Sequence, residues 1–303
     1  MALRVLVFEY LSAGGRLDVQ APPPELLAQG LAMQQALVQD LSNLPEVALH
    51  VVHSGEAPPA AADWPSWLSA RAAHVDRVWA VAPECDGLLL ALHGAVGATR
   101  WVGCSAGAIA TASSKSATLA QLARHGVCTP LAFATQAVRG AWVVKPDDGA
   151  GAADVRVHTH HADALADHAA RARLGQRSTL EPWVDGEALS LSLLCAPGQA
   201  ELLSINRQQI ERSADGTLTY RGVQTVALPL THAWAGALRD CAAAVARALP
   251  GLHGYVGVDV VWHAARGPVA IEVNPRLTCA YVGLSKRLGR CLGGEILALA
   301  RAS

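Results

Sequence analysis

Between residues 4 and 104, short apolar runs alternate with longer stretches of helical periodicity. No other feature of the chain restricts its fold as much. "RVLVF" (4–8), "VALHVV" (47–52), "RVWAVA" (77–82) and "WVGCS" (101–105) read as buried strands. "ELLAQGLAMQQALVQDL" (25–41) carries apolar residues at helical spacing, and the stretch after Glu84 also has a helical pattern. Strand, helix and strand in this rhythm imply a parallel sheet covered by helices. The spacing predicts an α/β domain over residues 1–105.

From about residue 106 the pattern changes. A helix near "SKSATLAQLARHG" leads through "CTPLAF" to a strand "AWVVKP" and the Gly/Asp-rich "DDGAGAAD". A short strand (155–158), a helix (162–174) and the strand "STLEPW" follow. Antiparallel-type strands "EALSLSLL", "AELLSIN" and "VQTVALP" come next, then a helix (233–249) and the strand pair "YVGVDVVWH" and "PVAIEVN". This second part is α+β, and it divides into a central portion (106–180) and a C-terminal portion (181–303). The only low-complexity tract is the Pro/Ala-rich "EAPPAAADWP" (56–65), which reads as a loop.

The polar residues inside these elements are the candidate chemistry. In "VAIEVNPRLT" (269–278), Val269, Ile271 and Val273 alternate with Ala270, Glu272 and Asn274, so alternation places the latter three on one face. Asp259 in "GVDVVW" lies on the preceding strand. Mg²⁺ takes hard oxygen ligands, usually one or two carboxylates together with substrate phosphates. Asp259, Glu272 and Asn274 would supply that set, with Glu272 able to bridge two ions. Lys145 ends a strand before the loop Asp148-Gly149-Ala150-Gly151, and a lysine before a flexible glycine loop suits phosphate. The loop lacks the P-loop pattern, and by itself it reads equally well as a hairpin turn. Lys115 starts a helix just beyond the first domain. In "EPWVDGE" the segment around Trp183 and Val184, flanked by Glu181 and Glu187, can offer backbone groups to an adenine edge and Glu187 to ribose hydroxyls.

Composition narrows the partners. With 24 basic and 25 acidic residues the chain has no strong field to draw nucleic acid or an anionic membrane. No apolar stretch reaches the length of a spanning helix, and "MALRVLVFEY" lacks the features of a secretory signal. Seven scattered cysteines without a CxxC suit reduced core thiols. A cytoplasmic protein acting on small molecules is expected.

Acidic, Asn-bearing paired strands ending in "EVNPR", an upstream lysine and glycine loop, and a second lysine, in this order, resemble the ATP-grasp superfamily. That resemblance covers residues 106 to about 295, and the preceding sheet is similar to a pre-ATP-grasp domain. "VFEYLSAGG" (7–15), "LLAQGLAMQQALVQDL" (26–41), "APECDGLL" (82–89) and "EVNPRLTCAYVGL" (272–284) further resemble the tyramine–glutamate ligase family of methanofuran biosynthesis. The resemblance implies a ligase that activates a carboxylate with ATP and passes it to an amine, tyramine or tyrosine with L-glutamate, releasing ADP and phosphate. ATP would bind with one or two Mg²⁺ ions, or Mn²⁺ in their place. Lys115, Lys145, Gly149 and Gly151 would contact phosphates, Glu181, Trp183, Val184, Glu187 and Asn206 would contact the nucleotide, and Arg276 would meet the acyl phosphate or the substrate carboxylate. A homodimer through the first domain is a feature of the superfamily. Relatives that join D-alanines carry an arginine two residues before the metal aspartate. This chain has Gly257 there, which leaves Arg276, Arg207 or Arg212 to neutralise the intermediate.

Other readings remain beside this one. Another ATP-grasp ligase, for a dipeptide or an amino-acid-capped metabolite, carries the same motifs. From other classes stand a kinase and an ATP-binding regulatory protein without catalysis, the latter disfavoured by the complete Asp259/Glu272/Asn274 set. His158, His160 and His161 read as the end of a strand in a solvated loop. Glu9 and Tyr10 open a loop at the carboxyl end of the first strand, as ligand contacts or only as loop caps. "SINRQQI" (204–210) puts Asn206 and Gln208 on one face, lining the site.

Overall fold

The structure is a computed structural model that describes residues 2–16, 22–56, 63–135, 140–149 and 153–302. β1 (Leu3–Glu9), β2 (Val47–Val51) and β3 (Arg77–Val81) form a parallel sheet in the order β2-β1-β3, crossed by α1 (Pro24–Ser42), α2 (Trp64–Ala72) and α3 (Leu88–Val96). α2 starts inside the expected 56–65 loop, because Asp63 accepts a hydrogen bond from Ser66 N and Pro65 suits a first helical turn. The expected strand 101–105 contracts to one parallel bridge, Val78 to Trp101. Gly103, at φ 139°, breaks the extended run, and Ser105 N turns to the carbonyl of Gly251.

α4 (Ala106–Ala112) and α5 (Lys115–Arg124) lead to an antiparallel sheet of β4 (Trp142–Pro146), β5 (Arg156–His158) and β6 (Ser178–Pro182), ordered β5-β4-β6 and covered by α6 (His161–Arg173). His158 belongs to β5 and bonds Asp167 of α6 at 2.8 Å. The last sheet is antiparallel, ordered β11-β10-β7-β8-β9, from β7 (Glu187–Ala196), β8 (Gln199–Arg212), β9 (Leu218–Leu228), β10 (Gly254–His263) and β11 (Gly267–Asn274). α7 (Ala235–Ala248) packs Leu238, Ala242 and Val245 on it, and α8 (Leu284–Leu288) and α9 (Leu292–Ala302) close the chain. Among the described residues no helix is long and apolar enough to cross a membrane.

One core runs through both parts: Leu6, Phe8 and Val78 of the parallel sheet share a cluster with Leu191, Val256, Val258 and Val273 of the last sheet. A second cluster joins Val5, Val7 and Leu37 to Tyr255, Tyr281 and Ile296. Within it, Asp40 on α1 accepts from Tyr281 Oη (2.5 Å), Ser285 Oγ (2.5 Å) and Gly293 N (3.2 Å) on one carboxyl oxygen. Removing that acceptor strands a buried phenol hydroxyl. We expect Asp40→Ala to destabilise by about 2–4 kcal/mol, read as a lowered denaturation midpoint, with Asp40→Asn recovering part of the loss.

Candidate active site

A cavity of about 340 Å³ lies where the three sheets meet. It is lined by the carboxyl end of β1, one face of α1, Lys115, the β4 and β6 ends, and the polar faces of β8, β10 and β11.

The acidic pair is set by strand register. Asp259 lies opposite Glu272 and Gly257 opposite Asn274, while Val258 and Val273 point the other way into the core. A β-bulge follows: Val260 pairs with Ala270, so Ile271 is the extra residue. The expected sharing of one face by Ala270, Glu272 and Asn274 is therefore corrected. Ala270 turns into the core with Val273, while Ile271, Glu272 and Asn274 line the cavity. Asp259 accepts from Gln208 Nε2 at 3.0 Å and Asn274 Nδ2 at 3.4 Å. Burial first, and then the facing Glu272, push its carboxyl up to about 7. Two carboxylates facing each other across paired strands suit a divalent cation. Among the described residues no three His, Cys, Asp or Glu side chains cluster for a metal. Two carboxylates and an amide instead suit an ion that brings further oxygens with its ligand.

The cations come from different elements. Lys115 Nζ lies 3.2 Å from Glu272 Oε1 and donates to the Gly149 carbonyl at 3.0 Å. Burial alone would depress its pKa, but Glu272, with Glu84 and Asp148 beyond, raises it, so the ammonium stays charged. Lys145 Nζ sits 3.0 Å from Glu181 Oε2, both side chains buried, and Thr179 Oγ1 donates to the other Glu181 oxygen. Gly149, at φ 112°, takes a conformation natural to glycine. Gly151 lies outside the described residues. Sequence reasoning missed Asp147, which is 3% exposed and ties α5 to the glycine loop. It accepts from Ser116 N (2.9 Å), Ser114 Oγ (2.8 Å) and Arg177, and its carbonyl accepts from Lys115 N.

Trp183 and Val184 line the cavity, with Trp183 Nε1 donating to Asp185. Glu187 stands at the β7 start and accepts from Arg207 Nε at 2.7 Å rather than lining the cavity. Asn206 is a correction. It is fully buried and donates to Ser190 O and Ser192 Oγ, and it accepts from Ser204 Oγ and Val226 N. All four hydrogen-bonding positions of the amide are filled. Its work is to hold Val226, at φ 53°, in a conformation a β-branched residue rarely adopts. Gln208 alone of that pair reaches the cavity.

Arg276 lines the cavity, but its guanidinium is held by Glu84, at the end of the β3 loop, at 2.8 Å and largely buried. Glu84 Oε1 and Arg276 Nε are buried without a hydrogen-bond partner. An arginine at position 257 has no room, since a Cβ there would lie 2.6 Å from Thr278 Cγ2.

A glycine loop, two buried lysines and an acidic strand pair around one cavity define a nucleotide-site architecture of the ATP-grasp type. A model of the ATP-grasp domain matches residues 112–280 and one of the pre ATP-grasp 3 domain matches residues 33–109, and the chain belongs to the ATP-grasp family. It is similar to the tyramine–L-glutamate ligases of Methanocaldococcus jannaschii (28% identical over 213 residues, 70% of this chain and 59% of that protein) and Methanocaldococcus fervens (27% over 212 residues, 69% and 62%). The chain thus spans about three fifths of the length of these relatives. Its fold is also that of an ATP-grasp superfamily protein from Archaeoglobus fulgidus (TM-score 0.73, 22% identity, 98% of this chain and 88% of that chain). It is likewise that of the VanG D-Ala:D-Ser ligase from Enterococcus faecalis (TM-score 0.71, 13% identity, 99% and 100%).

Burial works to raise the Asp147 carboxyl, yet the donors from Ser116 and Ser114 and the charge of Arg177 outweigh it, and its pKa is lowered. A lowered carboxyl stabilises the fold above the ordinary carboxylate range, and that contribution is lost as pH falls through the folded value. Asp147→Asn should cost about 2 kcal/mol at neutral pH. The gap from the parent should shrink as denaturation is followed below about pH 4.

Proposed function

We propose that the protein is an ATP-dependent carboxylate–amine ligase that forms a glutamyl amide through an acyl phosphate, with tyramine or tyrosine as the amine. The observation that carries this is Lys115, which bonds Glu272 of the acidic pair and the glycine-loop carbonyl at once and so links the two sides of the cavity. The similarity to tyramine–L-glutamate ligases supports the choice of substrates.

Asp259, Glu272 and Asn274 would hold Mg²⁺ with the nucleotide. When bound, the ion neutralises charge on the phosphate oxygens. Lys145 spends one N–H on Glu181 and Lys115 two on Glu272 and Gly149, so both keep donors for phosphates. The backbone at Trp183 and Val184 would receive the base. The glutamate carboxylate attacks the γ-phosphoryl group and ADP departs. The amine then attacks the acyl carbon and phosphate leaves as the amide forms. Arg276, which lines the cavity beside Glu84, would meet the acyl phosphate or the substrate carboxylate. Phosphoryl transfer asks for positioning and charge neutralisation, with no protein nucleophile.

Purified protein with ATP, Mg²⁺ and L-glutamate should release ADP faster when tyramine or tyrosine is added, and a glutamyl amide should appear by mass spectrometry. Glu272→Ala should lower that rate by about hundredfold or more. ADP release indifferent to every amine would overturn the reading.

A further inference from the structure

The nucleotide half of the cavity leaves its other end without a role. There, Glu9 closes β1 at the carboxyl edge of the parallel sheet, the place where such sheets meet ligands. It is 2% exposed, and among the described residues its carboxyl oxygens accept from Leu11 N (3.2 Å) and Ser12 N (2.6 Å) of its own loop. Glu272, Glu181 and Glu84 each face a cation, whereas Glu9 forms no ion pair among the described residues. A buried carboxylate with no cation in contact is costly, and burial raises the pKa of Glu9. Gly30 sharpens the point. It lies mid-helix in α1, where glycine costs about 1 kcal/mol against alanine, and a Cβ there would stand 2.5 Å from Glu9 Oε2. Glycine is what lets the helix pass so close to this carboxyl. Leu11, Leu26 and Met33 give this end apolar wall, with Gln29 the polar residue of the same helix face, and Arg276 lines the same cavity.

We propose that this end of the cavity is the acceptor subsite, taking a primary ammonium compound with an apolar or aromatic body, and that Glu9 recognises its charge. The proposal rests on the ligase reading only for the word acceptor. Glutamate has no apolar body to match the wall, so the subsite falls to the amine.

The test is calorimetric binding of tyramine and of 4-propylphenol, which carries a methyl in place of the ammonium, to the full chain and to Glu9→Gln. The parent should bind tyramine roughly tenfold or more tighter than 4-propylphenol. Glu9→Gln should bring the two together by weakening tyramine alone, with ATP binding unchanged. Gly30→Ala, which displaces the carboxyl, should likewise weaken tyramine while ATP binding holds, and it serves should Glu9→Gln fail to fold. A parent without preference for the cation would overturn the subsite, as would a Glu9→Gln protein that keeps the preference or loses both ligands equally. Amide formation by a parent whose preference survives Glu9→Gln would sink the subsite and leave the ligase. Preference lost in Glu9→Gln without amine-stimulated ADP release from the parent would keep the subsite and sink the ligase.

Discussion

The ion pair between Lys115 and Glu272 is the contact on which the site depends. Lys115 starts α5, Glu272 is on β11, and the same ammonium holds the Gly149 carbonyl of the loop after β4. One side chain thus fixes a helix, a loop of the middle sheet and a strand of the last sheet relative to one another. Its geometry is possible only because Asp147 anchors the first turn of α5 to that loop through Ser114 Oγ, Ser116 N and its own carbonyl to Lys115 N. Buried charge is tolerated when it is paired and becomes a large penalty when one partner is lost. Lys145–Glu181 and Arg276–Glu84 follow the same rule, so the cavity gathers positive charge without leaving any of these three cations alone.

Local backbone shape decides where the negative charge faces. The bulge at Ile271 moves Ala270 into the core and lets Glu272 face Asp259, while Val258 and Val273 keep packing behind them. A regular strand would force Ala270 and Glu272 onto one face and set the core residues out of phase. Gly257 and Thr278 complete the arrangement, because the volume beside Asn274 that a side chain at 257 would fill is already occupied by a methyl group.

Much of this was legible in the sequence, and the failures have identifiable causes. The parallel and antiparallel sheets follow from the change in pattern near residue 106, since hydrophobic period and element length are local properties. The acidic pair, both lysines and Gly149 were named from residue type and position, and all line the cavity. Alternation has no means of registering a bulge, so Ala270 was assigned to the wrong face. Asn206 was grouped with Gln208 by the same two-residue period. Nothing local reveals that Ser190, Ser192, Ser204 and Val226 saturate its amide. Glu84 was read only as the edge of a helix, because its partner Arg276 is 192 residues away along the chain. Asp147 lies in the Gly/Asp-rich "DDGAGAAD", where nothing local separates a buried anchor from a turn residue, and its partners Ser114 and Ser116 are more than thirty residues away.

The N-terminal domain is therefore part of the site and more than a platform for it. Glu84, in the loop after β3, holds Arg276, and Glu9 at the end of β1 and Gly30 of α1 line the cavity, so the carboxyl edge of the parallel sheet supplies two acidic residues at or beside it. In a parallel sheet those loops are where sequence can vary without disturbing the core. The second part carries the two lysines and the acidic strand pair, while the first part supplies the wall around Glu9. On the proposed reading, specificity for the acceptor would belong to the end of β1, the loop after β3 and α1.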